Sequence, residues 1–278
     1  MTREGGALDP AGGNKPLLTV SLVIYRPDLK VLAATLQSLS KALTLLGASR
    51  CKIFIIQNCD TDGIAPLLGA NLNGIAFDLW QGHGNIGFGR AHNLVLHETG
   101  TFHLVLNPDI EMAEDALTHG LKFLEEHTDC GLITPHACWP DGTRQFLCKR
   151  YPALFDLLLR GFAPVFLKNL FSARLARYEM SEETGEDVFW DPPIVSGCFM
   201  LFRGEIYRQL GGFDKRFFLY FEDFDLALRA GKITRIAYVP AVRIVHEGGH
   251  AARKGLTHIK LFAKSALLFY KLHGFKLL

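Results

Sequence analysis

None of the six cysteines (Cys51, Cys59, Cys130, Cys138, Cys148 and Cys198) forms a Cys-x-x-Cys pair. A structural zinc site, which draws on closely spaced thiolates, is therefore not expected. No apolar run reaches the roughly 18–20 residues of a membrane span. The first fifteen residues are glycine-rich and polar and contain no apolar signal-peptide core. Blocks of five or more like charges are missing, and 30 basic against 28 acidic residues leave a net charge of +2. A duplex-DNA binder usually shows a basic stripe, so nucleic acid is not the expected partner, although a nucleotide ligand stays open. Internal repeats and low-complexity linkers are missing too. What is present is a globular composition, 49% hydrophobic and 21% charged over 278 residues. That apolar content excludes disorder as the main state. The length allows one large α/β domain or two smaller ones. The cysteines lie mostly in apolar strand-like runs and read as buried free thiols, which suits a reducing cytosol; the expected location is cytoplasmic.

Residues 19–25 (TVSLVIY) are short, β-branched and continuous, the pattern of a strand buried on both faces. Pro27 and Asp28 then open a helix with Leu32, Leu36, Leu39, Leu43 and Leu46 at helical spacing, which Gly47 ends. The pattern repeats, with strands at 52–57, 75–80 and 102–106 and helices near 90–97 and 113–126. This alternation predicts a mostly parallel central sheet flanked by helices. Further on, a buried strand is expected at 194–202 (IVSGCFMLF), a helix at 222–230, strands at 233–240 and 242–245, and an amphipathic helix in the lysine-containing tail. The expected organisation is a flexible N-terminus (1–15), one α/β domain (16–250) and a helical appendage (251–278).

Four segments carry candidate chemistry. Gly82-His83-Gly84-Asn85-Ile86-Gly87 fits G-x-G-x-x-G between a strand and a helix. A dinucleotide fingerprint normally follows the first strand of its sheet, however, and this run follows the third. The glycines are expected to let the backbone approach a nucleotide or sugar. Asn107-Pro108-Asp109 ends a strand, where open α/β sheets bind ligands, and its carboxylate could hold Mg²⁺ or Mn²⁺ against a diphosphate. Glu222, Asp223 and Asp225 follow five apolar residues. A carboxylate in such surroundings has a raised pKa and can act as a base, while Asp225 is placed to pair with Arg229 at i,i+4. His246 precedes a glycine pair and can coordinate a metal or touch a phosphate.

Together and in this order, the segments SLVIYRPD, IFIIQNCDTDG, GNIGFGRAHN, LVLNPDIEM, VSGCFMLFR, GGFDKRFFLYFEDFDLALR and VHEGG resemble the family 2 glycosyltransferases, in their rhamnosyltransferase-like branch. The resemblance implies a GT-A nucleotide-diphospho-sugar transferase fold over residues 16–250. It implies that Tyr25, Gln57 and Asn58 flank the nucleotide base, with Gln57 standing where the family usually has Asp. It places Asn85, Gly87, Phe88, Gly89 and Asn93 along the nucleotide-sugar. Asn107 and Asp109 correspond to the Asp-x-Asp site, with Asn in place of the first acid. Asp109 and His246 would be ligands of a divalent metal (Mg²⁺ or Mn²⁺), and Gly197 would let the chain pass close to the sugar or acceptor. Asp223 corresponds to the general base beside Glu222, with Asp225 and Arg229 in support, Arg229 orienting Asp225 and Glu222.

The implied activity is inverting, metal-assisted hexosyl transfer from a dTDP- or UDP-sugar, with dTDP-L-rhamnose as first donor. The acceptor would be a hydroxyl of a polyprenyl-linked bacterial surface polysaccharide such as O-antigen. The alternatives are galactofuranosyl or N-acetylhexosaminyl transfer, an NAD(P)-dependent oxidoreductase built on Gly82 to Gly87, and an inactive glycan-binding module. Residues 151–178 and the tail interleave apolar residues with Lys and Arg. They read equally as interfacial helices on the inner membrane face and as helices packed on the domain.

Overall fold

The computed structural model describes residues 2–6, 15–248 and 255–278. Its elements in chain order are β1 (Thr2–Gly6), β2 (Leu18–Ile24), α1 (Leu29–Leu46), β3 (Cys51–Gln57), α2 (Ile64–Asn71), β4 (Ala76–Gln81), α3 (Phe88–His92), β5 (Phe102–Leu106), β6 (Ile110–Met112) and α4 (Ala116–Glu126). They continue with β7 (Cys130–Cys138), β8 (Arg144–Gln145), β9 (Cys148–Lys149), α5 (Leu154–Phe162), α6 (Val165–Leu170), α7 (Ser172–Tyr178), β10 (Phe189–Trp190) and β11 (Ile194–Val195). The last are β12 (Phe199–Arg203), α8 (Gly204–Gln209), α9 (Glu222–Ala230), β13 (Arg235–His246) and α10 (Leu256–His273).

All seven residues of β2 are buried, as a continuous β-branched run demands. Each fully buried Val, Leu or Ile side chain there contributes roughly 1.5–3 kcal/mol. The Asp28 carboxylate caps α1 by accepting from the Lys30 and Val31 amides, and Leu32, Leu36, Leu39 and Leu43 bury its inner face. Among the described residues, α1 alone is long and apolar enough to cross a bilayer by length and composition. Its leucine face instead joins the core cluster of the sheet.

The main sheet runs β1-β4-β3-β2-β5-β12-β7-β13-β10. β4, β3, β2 and β5 run parallel to one another, as the alternation predicts. The second half is mixed, because β12 runs antiparallel to both β5 and β7 while β7 and β13 are parallel. Thr2–Gly6, read from sequence as part of a flexible N-terminus, pairs antiparallel with β4. Residues 7–14 of that segment, and residues 249–254 at the expected boundary of the helical appendage, lie outside the described residues.

From β2 the chain steps outward through β3 to β4, then returns to the other side of β2 as β5. The strand order therefore reverses at β2, and such a switch point opens a crevice outside the carboxyl ends of the strands. α10 packs one face on the domain, where Phe269, Tyr270 and Ala266 join Leu157, Ile194, Phe217 and Phe221 in a separate cluster. Its opposite stripe, Lys260, Lys264, Leu267 and Lys271, is exposed.

Candidate functional site

Four chain segments converge at the switch point. Asn107 and Asp109 follow β5 directly. β12 lies against β5 with Phe199 opposite Leu106, and the Asn107 amide donates to the Cys198 carbonyl at 2.9 Å. That pairing brings Gly197 to the mouth of the crevice. β13 pairs with β6, His246 opposite Ile110, and the Glu247 amide donates to the Asp109 carbonyl at 3.1 Å. The result places His246 Nε2 3.4 Å from Asp109 Oδ1.

These two atoms are buried, and neither has a hydrogen-bond partner among the described residues. The other ring nitrogen, Nδ1, lies 2.8 Å from Gln145 Oε1. An amide oxygen accepts only, so Nδ1 carries the proton and Nε2 faces Asp109. Fixing a ring in this way from behind is how a ligating histidine is oriented. Burial opposes charge on both groups, yet Asp109 lies below the usual carboxylate range beside His246. His246 is pushed up to about 10 by the Cys198 sulfur and the Asp109 carboxylate. Among the described residues no cluster of three or more His, Cys, Asp or Glu could hold a metal. A cation here would have two protein donors and take the rest of its shell from a ligand.

The acidic helix α9 meets this site through Gly197. The Gly197 amide donates to Asp223 Oδ2 at 2.9 Å and the Phe224 amide to Oδ1 at 2.9 Å. A Cβ on Gly197 would lie 2.9 Å from the Asp223 Cβ, so the close approach requires glycine. Burial raises the proton affinity of both Asp223 and Glu222, and Glu222 is raised further by Asp223. Among the described residues Glu222 Oε2 has no hydrogen-bond partner, whereas two backbone N–H groups favour the anion at Asp223. Those two N–H groups make Asp223 the better site of the pair for the negative charge. Asp225 is buried and pairs with Arg229 Nε at 2.8 Å, as the i,i+4 spacing predicts. The other Arg229 donors go to the Leu210 and Gly212 carbonyls and not to Glu222.

The glycine run is placed differently from its sequence reading. Gly87 has φ +92°, and a Cβ there would lie 2.4 Å from the Phe218 carbonyl oxygen, while one on Gly89 would lie 2.6 Å from the Phe213 Cβ. What these glycines admit is the 213–218 segment leading to α9. Phe88 packs edge-on against Phe213. Asn93 grips the same segment, donating to the Phe213 carbonyl at 2.7 Å and accepting from its amide at 2.9 Å. Asn85 Oδ1 accepts from the Gly87 amide. The amide opening α3, that of Phe88, donates to the Phe218 carbonyl at 3.1 Å. A dinucleotide pyrophosphate would need that helix N-terminus free, so the structure gives the oxidoreductase alternative no footing.

Asn58 is buried and joins the crevice to this loop. Its Nδ2 donates to the Gly87 carbonyl at 3.0 Å, and its Oδ1 meets His83 Nε2 at 3.1 Å. Gln57 is buried and donates to the Thr61 carbonyl. Tyr25 is exposed at the end of β2 with the Arg26 guanidinium over its ring. Gln145 went unnoticed in the sequence, because nothing local reports its pairing with His246, 101 residues away.

The crevice at the switch point thus carries a carboxylate–imidazole pair on one side and a glycine-backed carboxylate on the other. No family model matches the chain. It is 25% identical to the N-acetylglucosaminyl-diphospho-decaprenol L-rhamnosyltransferase of Mycobacterium tuberculosis (strain CDC 1551 / Oshkosh), over 91% of this chain and 83% of the relative. It is 30% identical to the rhamnosyltransferase WbbL of Escherichia coli (strain K12), over 54% of this chain and 53% of the relative. Among solved structures it superposes on the mannosyltransferase PcManGT from Pyrobaculum calidifontis, in complex with GDP-Man and Mn²⁺, with a TM-score of 0.58 at 19% identity, covering 95% of this chain and 71% of that one. The chain thus has the GT-A fold and is, by sequence, similar to the rhamnosyltransferase-like branch of the family 2 glycosyltransferases.

The geometry predicts that Gly197→Ala forces Asp223 away from its backbone donors. The expected result is a loss of about a hundredfold in turnover with the fold retained, measured by steady-state kinetics beside a circular dichroism melt. Full activity in this variant would contradict the close packing.

Proposed function

We propose that this chain transfers a sugar, first of all L-rhamnose from dTDP-L-rhamnose, onto a hydroxyl of a lipid-linked glycan in bacterial polysaccharide synthesis. The observation that carries the reading is the convergence of the Asp109–His246 pair with Asp223 across the Gly197 passage. The M. tuberculosis relative, named for a diphospho-decaprenol acceptor, supports the acceptor class. A UDP-sugar is the alternative donor, for galactofuranosyl or N-acetylhexosaminyl transfer.

The donor's diphosphate lies at the carboxyl ends of β2 and β5, next to Asp109 and His246. Asp109 and His246, buried side by side, are the residues that would hold a Mg²⁺ or Mn²⁺ ion bound with the diphosphate. Such an ion would offset the charge that develops on the leaving diphosphate. Asn107 in place of an acid leaves Asp109 the one carboxylate of that motif. Asp223, held as the anion by Gly197 and Phe224, takes the proton of the acceptor hydroxyl. The acceptor oxygen bonds to the anomeric carbon as the carbon–diphosphate bond breaks on the opposite face, and the configuration inverts. Glu222, protonated beside Asp223, keeps a second negative charge out of the base site. Asp225 and Arg229 tie α9 to the 210–212 turn.

The site also sits within a chain suited to a membrane surface. α6 exposes Val165, Phe166 and Leu170, and Leu154 and Phe155 of α5 donate to the Lys276 and Leu277 carbonyls. The exposed Phe275, Leu277 and Leu278 are thereby joined to α5. Apolar side chains with lysines and no acids along α6 and α10 suit peripheral contact with anionic lipid, on the cytoplasmic face where nucleotide-sugars are found.

Two measurements test this reading. Asp223→Asn is expected to lower transfer from dTDP-L-rhamnose to a GlcNAc-diphospho-polyprenol by about 10³-fold or more with donor KM little changed, because a general base contributes roughly 10²–10⁴. A loss of only two- or threefold would remove Asp223 as base, and a chain that merely binds glycan would lose nothing. Second, the protein should sediment with phosphatidylglycerol vesicles but not with phosphatidylcholine vesicles, and Phe166→Asp together with Leu170→Asp should weaken that binding. Equal sedimentation with both lipids, or none with either, would contradict the surface.

A further inference from the structure

Helix α9 begins from an unusual turn. Tyr220 and Phe221, immediately before Glu222 and Asp223, both adopt left-handed backbone conformations, with φ of 71° and 65°. Bulky side chains disfavour that region, and no side chain caps the helix. Such a turn persists only where its surroundings over-determine it.

Those surroundings come from α10. The Phe221 ring packs against Phe262 at 5.1 Å and Phe269 at 5.3 Å between centroids. The Tyr220 hydroxyl meets His258 Nδ1 at 2.8 Å, and the Ser265 hydroxyl donates to the Leu219 carbonyl at 2.7 Å. Beyond the turn, at the other end of α10, His273 Nε2 lies 2.8 Å from Asp225 Oδ1. Arg229 already occupies Asp225 Oδ2, so the His273 contact satisfies the second oxygen of a carboxylate that is 2% exposed. Asp223 lies midway between the strained turn and Asp225, two residues from each, and α10 holds both.

We propose that α10 is a positioning element of the transferase site and His273 its principal positioning residue. By fixing Asp225 and the Tyr220–Phe221 turn together, α10 sets the direction in which the Asp223 carboxylate leaves α9. It keeps that carboxylate on the Gly197 amide. The appendage is then part of the catalytic arrangement as well as a candidate surface for lipid. This inference rests on Asp223 being the base.

The test compares His273→Ala, His273→Gln and Tyr220→Phe with Asp223→Asn, using dTDP-L-rhamnose, Mn²⁺ and GlcNAc-diphospho-decaprenol, alongside hydrogen–deuterium exchange. His273→Ala should lower kcat by about ten- to a hundredfold, as a misplaced catalytic group does, with donor KM held within about twofold. Exchange should accelerate selectively in residues 219–226. His273→Gln keeps an N–H donor and should recover most of the rate, and Tyr220→Phe should give a smaller loss of kcat in the same pattern. Unchanged kcat in His273→Ala, a Gln variant no better than Ala, or exchange that rises uniformly over the domain would overturn the proposal. The two readings separate cleanly, because retained activity in Asp223→Asn removes the base, whereas inactive Asp223→Asn with fully active His273→Ala removes only the brace.

Discussion

The site depends on one pairing, the antiparallel insertion of β12 between β5 and β7. With Phe199 opposite Leu106, the residues before β12 are carried to the carboxyl end of β5. The Asn107 amide then closes on the Cys198 carbonyl. A parallel strand in that position would bring its other end to the crevice and leave Gly197 far from Asp109. The shift from parallel to mixed pairing at this point converts a ligand-binding crevice into one with a carboxylate on its far wall. β13 completes the arrangement by pairing with β6 and delivering His246 beside Asp109. Strand alternation makes such placements sensitive, since a one-residue slip of β13 would turn His246 to the opposite face.

Glycine serves this design by close approach to protein. Gly197 admits Asp223, Gly87 admits the Phe218 carbonyl and Gly89 admits Phe213. The last two fasten the loop after β4 to the segment that leads into α9, and Asn93 and Asn58 fasten it from either side. The loop after β4 and helix α9 are therefore one packed unit.

Much of the parallel half of the fold was legible because its strands are continuous apolar runs and α1 carries a clean leucine period. β10 was not, since a two-residue strand exists only through its partner, and the one strand expected at 194–202 divides into β11 and β12, which pair in different sheets. Asp109, Asp223 and His246 stood out by residue type and order, and the Asp225–Arg229 pair by helical spacing. The partners of Gly87 and Gly89 could not be read, because a glycine records that something comes close and not what it is. His273 and Gln145 were equally hidden. Each acts across a long stretch of chain, on Asp225 at a separation of 48 residues and on His246 at 101, and no local periodicity reports such a pairing.

In the proposed function the crevice is a nucleoside-diphosphate site assisted by a divalent cation. The most direct measurement is a thermal-shift comparison of dTDP, UDP, GDP, NAD⁺ and NADP⁺, each with and without Mn²⁺. A ligand at a hundred times its Kd adds roughly 2.7 kcal/mol to stability. The expected result is a Mn²⁺-dependent rise in melting temperature with dTDP that disappears when Asp109 and His246 are both replaced by alanine. A rise with NAD⁺ or NADP⁺ and none with any nucleoside diphosphate would contradict it.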